Sequence, residues 1–130
     1  MRSDPPGPSE LERLPPMTHY IVGLLRRGAR PRTGAEAELD RLQERHLAHL
    51  RHLRETGELI ATGPFEEETD LRGLLLFRTG SVAHARSTMA HDPLVEAGYL
   101  LLDLFTWFAP EGLAVSPRSD RPTDLTFDSD

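Results

Sequence analysis

The chain has 130 residues, 38% of them apolar and 28% charged, with a formal net charge of -6; these values describe one globular domain of ordinary size with a modest core. Several classes are excluded at once: without cysteine there is no disulfide framework and no thiolate metal site, no stretch approaches the roughly 20 apolar residues that span a bilayer, and no basic patch of the kind nucleic acid requires is concentrated anywhere. The opening MRSDPPGPSELERLPP lacks an apolar run, so it does not read as a signal peptide, and a cytoplasmic location with no membrane partner is expected.

Residues 1–16 hold five prolines among acidic and small residues, and residues 113–130 are similar. Both read as flexible tails, because they offer too little apolar surface to offset chain entropy, and they flank a folded unit at 17–112. The first element, THYIVGLLRR at 18–27, is a compact apolar run rich in strand formers, weakened as a strand by Gly23. RGARPRTG follows as a loop broken by Pro31 and Gly34. Residues 35–56, AEAELDRLQERHLAHLRHLRET, contain neither proline nor glycine and are dominated by Ala, Leu, Glu and Arg, so they form a helix. Thr33 with Glu36 offers a capping box at its start, and Gly57 is placed to end it in the left-handed conformation.

ELIATGPF is a short strand running into a Gly-Pro turn, and LRGLLLFRT at 71–79 is a third strand, with the acidic EEETD between them as an exposed hairpin loop. SVAHARSTMAH is a second helix, with Ser81 as its cap and Val82, Ala85 and Met89 on its apolar side. Asp92-Pro93 stops it, since a residue before proline is pushed out of the helical region. LVEAG reads as a turn-rich link. YLLLDLFTWF at 99–108 is nearly continuous in apolar residues and reads as a strand buried on both faces.

The order β-α-β-β-α-β, with short connections and right-handed crossovers, predicts an α+β ferredoxin-like sandwich: a four-stranded antiparallel sheet with both helices on one face. The other face is left bare. The last strand carries Phe105 and Trp107 on one side and Leu104 and Phe108 on the other. Exposing such a patch in a monomer is unusual, so a homodimer that pairs two sheets face to face is expected. Asp103 interrupts this strand; an arginine across the dimer interface is its expected partner, with an edge position or a second carboxylate in the cleft as alternatives.

The stretch RHLAHLRHLRETGELIATGPF at 45–65 sets His46, His49 and His52 three residues apart. At about 100° per residue, His46 falls in the middle of the stripe made by Leu39, Leu42, Leu50 and Leu53, His49 at its edge and His52 among Arg41 and Arg45. The three fan over about 120°, so one ion does not collect all three, and HExxH is absent; no metal is expected. His52 and His84 read as surface residues. A buried imidazole needs partners for its nitrogens, because an unsatisfied one costs about 1–3 kcal/mol. His46 is therefore either a core histidine bonded to a backbone carbonyl or a histidine at the base of a pocket, held by a carboxylate. Asp92 likewise has an ordinary role open to it, capping or bonding the backbone at a turn.

HLAHLRHLRETGELIATGPF followed by GLLLFRTGSVAHARSTMAHDPLVEAGYLLLDLFTWF resembles the YCII-related family over about residues 18–110, with HDPLVEAG after its helix as the most specific piece. The resemblance implies a dimeric α+β barrel built on the ferredoxin-like fold, and a His-Asp pair in a cleft, here His46 and Asp92. It places Gly63 and Pro64 near that cleft, although the residues alone read as a turn. Tyr20 from the first strand and His49 at the rim complete the candidates for substrate contact. The family includes a dehydrochlorinase acting on a chlorinated aromatic. The implied function is cofactor-independent acid-base chemistry of isomerase, lyase or dehydrochlorinase type on an aromatic or ring substrate, with Asp92 fixing the tautomer of His46. The alternative is a non-catalytic dimeric ligand-binding or accessory module, such as the YCII-like modules attached to sigma factors. The chain departs from the family pattern in its proline-rich tails, in Leu94 and Val95 where relatives often have an aromatic first, and in the arginines at 26, 27, 30 and 32. That loop reads as solvated, with attraction of an anionic substrate as the other reading.

Overall fold

A computed structural model describes residues 15–78 and 80–113. Apart from residues 15, 16 and 113, the tails expected at either end lie outside the described residues. The elements are β1 (Met17–Arg27), α1 (Glu36–Thr56), β2 (Leu59–Pro64), β3 (Leu71–Phe77), α2 (Val82–Met89), α3 (Pro93–Glu96) and β4 (Leu100–Pro110). The strands form one sheet in the order β2-β3-β1-β4, with every neighbouring pair antiparallel. This is the ferredoxin-like arrangement that the chain order predicts.

The two faces of the sheet follow from the period of two along each strand. Ile21 and Leu25 of β1, Leu75 and Phe77 of β3 and Leu100 of β4 point to one face. They pack with Leu50 and Leu53 of α1 and with Ala85 and Met89 of α2 into a single core. Each large aliphatic residue buried there contributes about 1.5–3 kcal/mol relative to exposure, and this burial holds the helices to the sheet. The cross-strand pairs Tyr20–Trp107, Val22–Phe105 and Leu24–Asp103 occupy the opposite face. Gly23 does not interrupt β1, which stays paired with both neighbours.

Five details depart from the sequence reading. The cap of α1 is Ala35, which makes no side-chain hydrogen bond; the Glu36 carboxylate accepts instead from the Gly34 N–H at 3.3 Å. The helix is held at its other end by Gly57, which ends it at φ 87° as expected. The link after Asp92 is a four-residue helix, α3, with Pro93 in its first turn, where the missing N–H costs nothing. Gly63 and Pro64 close β2, opposite Leu74 and Gly73, and are not a turn. β4 is covered on its helix side at Leu100, Leu102 and Leu104 but not at Phe108, which is 55% exposed, and it is open on the other face, where Leu101 is 53%, Phe105 51% and Trp107 45% exposed. Asp103 pairs with Arg26 of the same chain, two positions along the adjoining strand from its register partner Leu24.

Candidate active site

Asp92 sits between α2 and α3 because Pro93 forces it into an extended conformation, φ -67° and ψ 130°. In that conformation its side chain turns back over the start of α3, and Oδ2 accepts from the N–H groups of Leu94 at 3.1 Å and Val95 at 3.3 Å. The same carboxylate faces α1. His46 Nδ1 donates to it at 2.7 Å from Oδ1 and 2.9 Å from Oδ2, and His49 Nδ1 donates to Oδ1 at 3.0 Å. Asp92 is fully buried, at 0% exposure, and His46 is nearly so at 6%. The capping role and the histidine-holding role therefore coexist in one side chain.

Burial alone pushes the Asp92 carboxyl upward, but the hydrogen bonds from His46 and His49, the attraction of the His46 ring and the Val95 N–H together hold it down at about 2. At neutral pH it is thus ionised, and an ionised carboxylate only accepts. Both imidazoles must then carry a proton on Nδ1. For a neutral His46 this leaves the Nε2 lone pair as its basic site. Among the described residues no buried side-chain nitrogen or oxygen lacks a partner, and Nε2 has no protein partner, so it reaches solvent through the cleft that His46 lines.

That cleft has a volume of ≈ 560 Å³ and lies between α1, the β2–β3 hairpin and the loop after β1. It falls in the range of pockets that enclose small organic ligands. Leu39, Leu47 and Leu50 of α1 supply its apolar wall. Thr62, Gly63 and Pro64 supply the opposite side. Arg32, Arg72, Asp40 and Glu66 bring charge to it.

His46, Gly63 and Pro64 therefore lie on one cleft, with Asp92 directly behind His46. His49 does not line it, because its ring turns to Asp92. Tyr20 does not line it either: parity puts Tyr20 on the far face of the sheet, against Trp107 at 6.3 Å between ring centroids, with its hydroxyl donating to the Pro110 carbonyl at 3.3 Å. His84 is on the surface, 2.9 Å from Glu58. The reading of the sequence omits Thr62 and Arg72, which both line the cleft. Thr62 stands opposite Leu75 on the helix-facing side, a place legible only with the register in hand, and Arg72 falls at the register shift between Gly73 and Leu71, which no period of two in the sequence announces. Among the described residues no cluster of three or more His, Asp or Glu is arranged to hold a metal ion, and no helix is long and apolar enough to cross a membrane.

The profile of the YCII-related domain matches residues 27–106, a span that includes both His46 and Asp92. Among solved structures the chain is similar to the 5-chloro-2-hydroxyhydroquinone dehydrochlorinase of Burkholderia phenoliruptrix in complex with 2,5-dihydroxybenzoquinone, with 22% identity, 66% of this chain and 92% of that one covered, and a TM-score of 0.48. No curated protein matches the chain significantly.

Proposed function

The chain belongs to the YCII-related family, and from that premise we propose that it is a small-molecule enzyme in which His46 and Asp92 move a proton on an aromatic or other ring substrate bound in the cleft. The observation that carries this reading is the 2.7 Å contact between a fully buried, ionised carboxylate and Nδ1 of an imidazole that lines the cleft. Asp92 holds the ring by Nδ1 and leaves Nε2 as the base. Nε2 takes a proton from a ring hydroxyl, or from a tetrahedral ring carbon next to a carbonyl group, and the electron pair moves into the ring system. The imidazolium that forms is stabilised by the carboxylate behind it. It then returns the proton at another carbon, which is isomerisation, or the electron pair expels a leaving group such as chloride, which is elimination. No cofactor is needed for either course.

Gly63 and Pro64 form the wall opposite His46, and His49 supports Asp92. The active unit is a homodimer in which the open sheet faces of two copies cover each other. A positioned general base contributes on the order of 10²–10⁴-fold in rate. His46→Asn, which keeps size and a hydrogen-bonding side chain but has no basic nitrogen, is expected to cut kcat by that factor while the chain stays folded. The substrate is sought by thermal-shift screening of ring metabolites, followed by chromatography of each stabilising compound. An enzyme converts its ligand, whereas recovery of every ligand unchanged supports a binding module. Full activity in the His46→Asn chain rules out proton transfer by this residue.

A further inference from the structure

Two guanidinium groups face the same cleft from different elements, Arg32 from the loop after β1 and Arg72 from β3. Neither is paired with a carboxylate among the described residues, whereas Arg26 and Arg30 are, with Asp103 and Glu38. Arg32 rests over the Tyr99 ring with its guanidinium carbon 5.8 Å from the centroid, and Tyr99 is itself fixed by donating to Glu38 Oε1 at 2.7 Å. A cation over a ring face uses none of its N–H donors in that contact. Among the described residues Arg72 makes one side-chain hydrogen bond, to the Thr69 carbonyl at 3.4 Å, which leaves most of its donors free as well.

The two cations are half-buried, while the acids of the same cleft, Asp40 and Glu66, are exposed. Exposed charges are screened by water; half-buried ones are much less so. Arg32 accordingly has its pKa lowered, first by burial and next by the nearby charges of Arg72 and Arg27. Two like charges held together at a partly dry cleft, with donors unspent, are arranged for an anion that bridges them. The rest of the cleft, with three leucines along α1 and His46 at its base, suits a ring.

We propose that the ligand of this cleft is a ring compound bearing a carboxylate, held between Arg32 and Arg72 so that its ring lies against the α1 leucines and meets His46. The inference rests on the cleft being the ligand site of the preceding reading, and it names the substrate class for that site. Planar, two-pronged donors match a carboxylate in a way that a lysine or a lone arginine does not.

The test is isothermal titration of benzoate and salicylate, with benzamide and salicylamide as neutral isosteres, into the full chain and into Arg32→Gln, Arg72→Gln and His46→Asn. Both carboxylates are expected to bind and both amides to bind about tenfold more weakly or not at all. Each Arg→Gln change should weaken carboxylate binding about tenfold without weakening the amides. Rising ionic strength should weaken carboxylate binding to the unaltered chain, a readout that needs no variant. Turnover is read in the His46→Asn chain and anion binding in the arginine variants, so the two claims fail separately. Amides that bind as tightly as the acids, arginine variants that match the unaltered chain, or no carboxylate binding at all would each overturn the assignment.

Discussion

Asp92 is the residue on which stability and the proposed chemistry meet. Its carboxyl is held at about 2, against roughly 3.9 for an unfolded aspartate. A carboxyl depressed by folding stabilises the native state above the unfolded pKa, and that contribution disappears as pH falls through the folded one. The shift corresponds to about 2 kcal/mol, present at neutral pH and lost between about pH 4 and pH 2. Other acids titrate over the same range, so the measurement is the difference between the unaltered chain and Asp92→Asn in urea unfolding at a series of pH values. The difference should shrink by about 2 kcal/mol as pH falls from about 4 to about 2; a difference that stays flat over that range excludes the depressed carboxyl. The inward place of His46 was legible from the leucine stripe alone, because a helix repeats every 3.6 residues whatever packs against it. Its pairing with Asp92 followed only from the family resemblance, since the two are 46 positions apart in sequence. The turn of His49 onto the same oxygen was not legible at all. Its position at the stripe's edge suits a cleft rim as well as a contact with α3, and only the placement of α3 decides between them.

Among the elements, the loop between β1 and α1 positions the charged end of the cleft, and its anchor is a close approach of two backbones. Gly28 donates its N–H to the Tyr99 carbonyl at 2.8 Å, and a Cβ at position 28 would stand 2.1 Å from the Gly98 oxygen and 2.7 Å from the Tyr99 carbonyl carbon. Both obstacles are backbone, so a larger residue is accommodated only by moving the loop or the start of β4. Tyr99 would move with them, and with it the ring that carries Arg30 at 4.7 Å and Arg32 at 5.8 Å. Gly28→Ala is expected to cost about 1–3 kcal/mol, the usual penalty of overpacking, seen as a lower Tm together with weaker binding of cleft ligands. An unchanged Tm would mean that this crossing is looser than the contact distances indicate. The elements themselves were largely readable, since the long helix, the hairpin and the four strands all carry strong periodicity or propensity. The misses were local. A four-residue helix such as α3 is shorter than the window in which a 3.6-residue repeat can be seen. The expected cap at Thr33 gave way to Ala35 because the turn through Gly34, at φ 84°, starts the helix later.

At the scale of the whole molecule, the β-α-β-β-α-β order was enough to give the strand order and the side on which the helices pack, because few connections are compatible with short, right-handed crossovers. It also marked β4 as apolar on both faces, and the open face of the single chain is the consequence. Leu101, Phe105 and Trp107 are each about half exposed there, beside Val22, Leu24, Leu74 and Leu76, which the register places on the same face. The charges on that face are already matched within the chain by Arg26 and Asp103, so a partner surface need supply no ion. A second copy of the sheet meets this requirement, since an isologous contact sets the same apolar strip against itself. A stable interface of this kind buries roughly 1,200–2,000 Å² in total, within reach of a four-stranded sheet face. Phe105→Arg places a charge at the centre of the strip without disturbing the core on the other side. The unaltered chain is expected to sediment as a dimer at micromolar concentration, and the Phe105→Arg chain as a folded monomer with the same far-ultraviolet circular dichroism. If the unaltered chain sediments as a monomer, the apolar face needs another partner; if Phe105→Arg stays dimeric, the copies meet through a different surface.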